Sequence, residues 1–343
     1  MKAKTFLFWL LPCLTMLMVS CLGGGDKSLL DADMADKDTL FPVRENGKWG
    51  FIDPEGNLVI PLQYDGAGLF YDGRAGVIVG DKYGYIDKTG NYAIDPQFEL
   101  SGNFQEGLAV VRKNGRFGDI DKEGTMVIAP QFEELACDFY NGLARVEING
   151  MSGYIDKKGT LVITPQFEDA FSFSEGLAAV QIDGKWGFIN KEGTLVINPQ
   201  YDEKSQFSEG LAWVMRDGRY GCIDKEGKVV IDFQFDFAFA FHEGLATVCQ
   251  NYKCGCVDKN GNYVINPQFD FIGSFYNGLA PVCVNEKWGF IDKGGAYAIA
   301  PQYEKCYTFV SENVAQVMLD GKMGYINRSG KFIWQEDSGY SSL

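Results

Sequence analysis

Carboxylates recur along this chain at a fixed spacing. Asp53, Asp87, Asp121, Asp156, Asn190, Asp224, Asp258, Asp292 and Asn327 follow one another at intervals of 34 or 35 residues. A row of acids at repeat spacing could bind Ca²⁺, as in short β-helix repeats. Those repeats, however, crowd several acidic and glycine positions into nine residues, whereas this chain supplies one acid per unit and lets Asn replace it. An Asp or Asn that opens a four-residue turn closing on Gly accepts its own backbone N–H groups. The row therefore reads as turn caps, and no metal or cofactor is expected. A second row, Gln63, Gln97, Gln131, Gln166, Gln200, Gln234, Gln268 and Gln302, sits beside an aromatic and, in most copies, Pro. Its amides suit pinning the backbone of the irregular loop that follows, or a ladder offered to a glycan or peptide.

Aromatic side chains form the third set. Trp49, Tyr83, Phe117, Trp186, Tyr220 and Trp288 each precede a glycine, and Phe51, Tyr85, Tyr154, Phe188, Phe290 and Tyr325 each follow one, two residues on from that position and so on the same parity. Alternate residues of a strand share a face. Exposed, that face would be a stripe for sugar rings or apolar peptide segments; covered, it is a second core layer. Twelve large rings are too many to leave in water, which favours core. The six that precede glycine are the candidate ligand-binding positions. Besides Cys13 and Cys21 there are seven cysteines, at 137, 222, 249, 254, 256, 283 and 306. Cys254-Gly255-Cys256 lacks the second pair a zinc site requires, and its two thiols point the same way. Small apolar packing is the expected role, with an odd thiol left over. His242 is the one histidine, which leaves little room for imidazole acid–base chemistry.

The elements that must position these residues are legible from the same period. The 343-residue chain has 42 Gly and 14% aromatic residues. Glycines at 50, 84, 118, 153, 187, 221, 255, 289 and 324 mark nine units. In the clearest copy a glycine strand, Lys185 to Ile189, ends in an Asn190–Gly193 turn. A proline strand, Leu195 to Ile197, is stopped by Pro199. After a longer loop carrying Phe207 comes a valine strand, Leu211 to Met215. Asp217-Gly218 then makes a tight hairpin into the next glycine strand. Each strand places one Ile or Val at constant phase, as in Ile189, Ile197 and Val214, which suits a pleated buried face. Three strands in so short a unit, nine times over, predict an all-β open solenoid or superhelical array. The alternative is a closed propeller-like ring, which usually takes four strands and longer repeats.

Lys185-Trp186-Gly187-Phe188-Ile189, then Pro199-Gln200-Tyr201, then Glu209-Gly210-Leu211-Ala212, resembles the WG-repeat (KWG) family of bacterial proteins. The resemblance runs from Val43 to about Trp334. It implies a binding or scaffolding module and supplies no activity. The Trp survives at Trp49, Trp186 and Trp288, and elsewhere the position holds Tyr83, Phe117, Ser152, Tyr220, Cys254 or Met323.

The N-terminus reads as an address. Lys2 and Lys4 precede an apolar run from Phe6 to Val19, too short for a confident span. Met18-Val19-Ser20-Cys21 resembles a bacterial lipobox, with acylation (palmitate) expected at Cys21. The expected organisation is a lipoprotein signal peptide over 1–20, a flexible acidic tether over 21–40, the repeat array over 41–335 and a tail over 336–343. Net charge is −15, which argues against a nucleic-acid partner. The expectation is an exported, non-catalytic repeat protein, lipid-anchored to a bacterial membrane (outer membrane or cell surface), with an envelope protein or glycan as partner. A carboxylate-pair glycosidase and a mechanical spacer are the alternatives.

Overall fold

The computed structural model describes residues 40–132 and 138–337; Cys21, the segment before it and Cys137 lie outside them. Within these residues all regular structure is β, thirty-three strands running from Phe41 to Gln335. They form nine antiparallel sheets, one per sequence unit, and six of the nine have four strands. The fourth strand is a two-residue piece ahead of the valine strand in four of them, such as Asp169–Ala170 in the fifth blade. That blade runs in order through Asp169–Ala170, Ala178–Ile182, Lys185–Ile189 and Leu195–Tyr201.

The sheets close into a nine-bladed β-propeller. This corrects the expectation of an open solenoid and adopts the closed ring. Closure is visible in a contact repeated between successive blades. At eight positions, from Gly90 against Ile60 to Gly330 against Ile299, the turn glycine of one blade abuts the isoleucine of the blade before it. The ninth instance joins the ends of the array, where Gly56 lies against Ile333. Phe41 packs on Tyr325 with ring centroids 5.4 Å apart, and the Tyr325 hydroxyl donates to the Pro42 carbonyl at 2.9 Å. A short unit can still build a propeller blade because the loop after the proline strand supplies the extra pairing.

Local chemistry accounts for each blade. The hairpin of the fifth blade pairs Ile182 with Lys185, and its tip residues Asp183 and Gly184 both take positive φ, 51° and 70°, as a tight I′ turn requires. The repeated Ile and Val positions are buried in every unit but for Ile333 at the end. Pro199 does not stop its strand, which continues to Tyr201. Trp186 pairs with Tyr201 but Phe188 pairs with Ile197, so four residues of the outer strand span two of its neighbour. Proline is tolerated in such a bulge because no ladder N–H is needed there. The bulge presses backbone onto Gly187, where a Cβ would sit 2.5 Å from the Ile197 carbonyl oxygen and 2.7 Å from the Pro199 nitrogen. Only glycine fits beneath it. That contact, more than the tryptophan, explains why glycine marks all nine units.

Blades are also latched at one end of the valine strand. Glu175, at φ 52°, accepts the Gly210 N–H of the next blade at 2.9 Å, and Lys225 reaches its carboxylate at 3.1 Å. The same arrangement recurs with Glu209, Gly244 and Lys259 and with Glu243, Gly278 and Lys293.

Candidate ligand-binding surface

The Asp row caps turns. Asp156 Oδ1 accepts the N–H groups of Lys158 and Thr160, both at 2.9 Å, and Asp258 does the same with Asn260 and Asn262. The Thr160 N–H, with that of Lys158, holds the Asp156 carboxyl below its usual range. Asn190 takes the same role with Glu192 and Thr194. The Gln row departs from expectation. Its members are exposed on the outer strand, and Gln200 and Gln97 reach only carbonyls of their own strand, Asn198 and Asp95, at 3.4 and 3.5 Å. They do not pin the following loop.

The aromatic positions split by depth. Phe51, Tyr85, Tyr154, Phe188, Phe290 and Tyr325 are buried. Five of them meet the loop phenylalanine that follows, as Phe188 meets Phe207 at 5.0 Å and Tyr85 meets Phe104 at 4.7 Å. These are core. Of the six candidate binding residues, Phe117 and Trp186 are buried and Trp49, Tyr83, Tyr220 and Trp288 are half-buried. Each faces the aromatic residue of its own outer strand: Trp49 with Tyr64, Tyr83 with Phe98, Phe117 with Phe132, Trp186 with Tyr201, Tyr220 with Phe235 and Trp288 with Tyr303. The structure places them one per blade and does not join the six into a single stripe.

It does join two of them. Tyr220 of the sixth blade and Trp288 of the eighth are the ends of a chain of five rings. Centroids lie 5.7 Å apart from Tyr220 to Phe237, 4.7 Å from Phe237 to Phe239, 5.5 Å from Phe239 to Phe271 and 5.6 Å from Phe271 to Trp288. Phe237 is 38% exposed, and Phe239 and Phe271 are half-buried. The three phenylalanines are absent from the sequence reading because they stand outside the repeated pattern. Where Phe237 and Phe271 sit, other blades hold Gly66, Leu100, Asp169 or Lys305, each in the same register against its valine strand. Departure from the repeat is the signal that would have found them.

Part of the charge at this surface is internally matched. The Tyr220 hydroxyl donates to Glu203, Arg219 pairs with Asp236, and Lys253 pairs with Asp270 at 2.7 Å. Lys253 holds the Asp270 carboxyl below its usual range. Beside Phe237, in one row across the seventh blade, lie Cys249 and Cys254, joined as a disulfide. Cys254 thus takes the place of a strand aromatic by cross-linking its hairpin. Cys222 and Cys256 are buried thiols pushed up to about 12 and about 11 by desolvation, which makes them poor nucleophiles.

A second departure lies inside. Asp119 occupies the third blade's version of the Phe188 position, is 1% exposed and leaves Oδ2 without a partner. Burial, aided by the charge of Asp138, pushes its carboxyl up to about 7. Among the described residues no three His, Cys, Asp or Glu side chains are grouped to hold a metal.

The model for the WG containing repeat matches this chain eight times, over residues 49–83, 83–117, 117–151, 153–186, 186–220, 220–254, 255–288 and 288–322. The chain belongs to the WG-repeat family. Each WG match begins at a strand aromatic or glycine and ends within the next glycine strand, so it straddles two blades of the ring. No curated protein matches the sequence. Among solved structures, the crystal structure of the eukaryotic initiation factor resembles this WG-repeat ring over 87% of this chain and 96% of its own, with a TM-score of 0.63 and 11% identity. BamB from Moraxella catarrhalis aligns over 90% of this chain and 97% of its own, with TM-score 0.45 and 11% identity. Hsv2 of Kluyveromyces lactis aligns over 64% and 89%, with TM-score 0.41 and 9% identity. The likeness to the initiation factor is one of fold.

Proposed function

We propose that this WG-repeat protein is a non-catalytic binding scaffold, lipid-anchored through Cys21 to a bacterial membrane and exported to the envelope. The observation that carries the reading is the five-ring surface. It is built from side chains that break the repeat, mounted on a frame that keeps it. A rigid ring with locally varied side chains is a platform for recognition. The buried state of Asp119 supports the absence of catalysis, since a carboxyl sealed between blades cannot reach a substrate, and the Asp row spends its oxygens on backbone N–H groups. Envelope localisation and acylation rest on the Met18–Cys21 segment.

A photo-crosslinking residue placed at Phe239 in the full-length protein, in cells, tests the reading. It should capture one discrete envelope protein or glycan, and the same residue at Leu58 should not. A hydrolytic activity abolished by one Asp or Glu substitution in a folded protein would replace the scaffold with an enzyme. Loss of fatty-acid labelling in Cys21→Ser, with labelling of the wild type, tests the anchor.

A further inference from the structure

The geometry of the five rings bears on the partner's chemistry, an inference that rests on the scaffold reading. Successive rings meet at 62°, 68°, 84° and 58°. The first three contacts are edge-to-face, as quadrupoles favour, and the fourth, Phe271 with Trp288, is tilted. A pyranose is held by laying its C–H face on a flat ring, and rings tilted 58–84° from their neighbours offer no shared flat platform. What remains open is a run of notches between tilted rings, which suits branched or unbranched apolar side chains.

The electrostatics narrow it further. Arg219 and Lys253 are already held by Asp236 and Asp270, which leaves Lys287, beside Trp288, as an exposed cation at one end of the chain of rings. Glu203 and the exposed Glu286 flank the rings, and the whole chain carries −15. A basic partner is favoured on approach. We propose that Tyr220, Phe237, Phe239, Phe271 and Trp288 dock a protein segment in which apolar side chains fill the notches and Lys or Arg flanks face Glu203 and Glu286. The disulfide between Cys249 and Cys254 keeps the middle of the surface in register by closing the hairpin next to Phe237.

The test uses the full-length protein and two labelled synthetic peptides of equal charge, one alternating Leu with Lys and one alternating Ser with Lys, alongside chitohexaose. The Leu–Lys peptide should bind at least tenfold tighter than the Ser–Lys peptide. Phe237→Ser and Phe271→Ser should each weaken it at least tenfold with unchanged melting temperature, while Leu58→Ser, on an exposed outer strand, should leave it alone. Chitohexaose binding that is lost in Phe237→Ser, with peptide binding unaffected, overturns the partner class and leaves the scaffold standing. Peptide affinity indifferent to both phenylalanine variants overturns this surface as the site. Failure of crosslinking at Phe239 and at other surface positions alike would instead defeat the scaffold reading itself.

Discussion

The interfaces made by blades five and three differ in polarity at one position. In the fifth blade Phe188 lies against Phe207 at 5.0 Å, within a cluster that includes Ile197, Tyr201, Val214 and Ile223. In the third blade the same position is Asp119, and the cluster around Ile128, Phe139, Val146 and Ile155 has no ring in that place. The sixth blade shows a third solution: Cys222 stands there, and Trp213 fills the space by stacking on Phe241 at 5.7 Å. The interface therefore demands volume rather than a particular residue. Trp213 restores it with a ring from the neighbouring strand, whereas Asp119 exchanges apolar volume for a buried ionisable group. Five substitutions probe this contrast and the frame that carries it, from the most to the least disruptive.

The frame beneath both blades should fail first. Gly187→Ala drives a Cβ into backbone atoms of the bulge, 2.5 Å from the Ile197 carbonyl oxygen, and backbone cannot move aside as a side-chain tip can. A loss of about 3 kcal/mol or more is expected, read as a lowered urea midpoint or no cooperative transition. A variant as stable as the wild type would mean that the bulge does not constrain the glycine. Phe188→Ala comes next. Emptying a ring from the intact interface should cost about 3–5 kcal/mol, measured by urea unfolding at neutral pH. A cost below about 1 kcal/mol would show that the ring layer of the fifth blade is as dispensable as Asp119 suggests.

How far the sequence carries can be judged from the same residues. Nine units, the hairpin at Asp183-Gly184 and the Asx caps at Asp156 and Asp258 follow from short-range chemistry, and the structure has them. Closure of the ring was not legible. It depends on a small rotation accumulated over nine interfaces, and on strands as short as Asp169–Ala170, which no hydrophobic period reveals. The continuation past Pro199 is not legible either, because a proline in a bulge looks, in sequence, like a proline at a strand end. The repeat also hid its exceptions. Phe237, Phe239 and Phe271 belong to no row, and Asp119 is inconspicuous in an acidic chain until the ring it replaces is counted. Aligning copies for their differences, rather than their consensus, recovers both.

The carboxyl that replaces the ring gives a pH signature that the fifth blade lacks. Asp119 titrates near 7 in the folded protein because burial, and then Asp138, disfavour its charge; an unfolded Asp titrates near 4. The native state therefore binds this proton more tightly than the unfolded state. Its stabilising contribution is complete below about pH 4 and is lost as pH rises toward 7, by up to about 1.4 kcal/mol for each unit. Asp119→Asn removes the titration while keeping the shape. Between pH 5 and pH 7 the wild type should lose more stability than Asp119→Asn, and parallel curves would show that Asp119 is not a buried acid.

The smallest effect concerns the seam where the array meets its own beginning, and it separates a closed ring from an open one. The hydroxyl of Tyr85 donates to the Gly102 carbonyl at 2.7 Å between adjacent interior blades, and that of Tyr325 donates to the Pro42 carbonyl at 2.9 Å between the ninth blade and the first. Both tyrosines are buried, so Tyr→Phe removes one hydrogen bond and little else. Each variant should lose about 0.5–1.5 kcal/mol. The comparison matters more than either value. In an array whose ends frayed, Pro42 and Tyr325 would be apart much of the time, and Tyr325→Phe would be neutral while Tyr85→Phe still paid its cost. Equal losses, together with hydrogen-exchange protection of the first and ninth blades matching that of the fifth, are the outcome a closed nine-bladed ring requires.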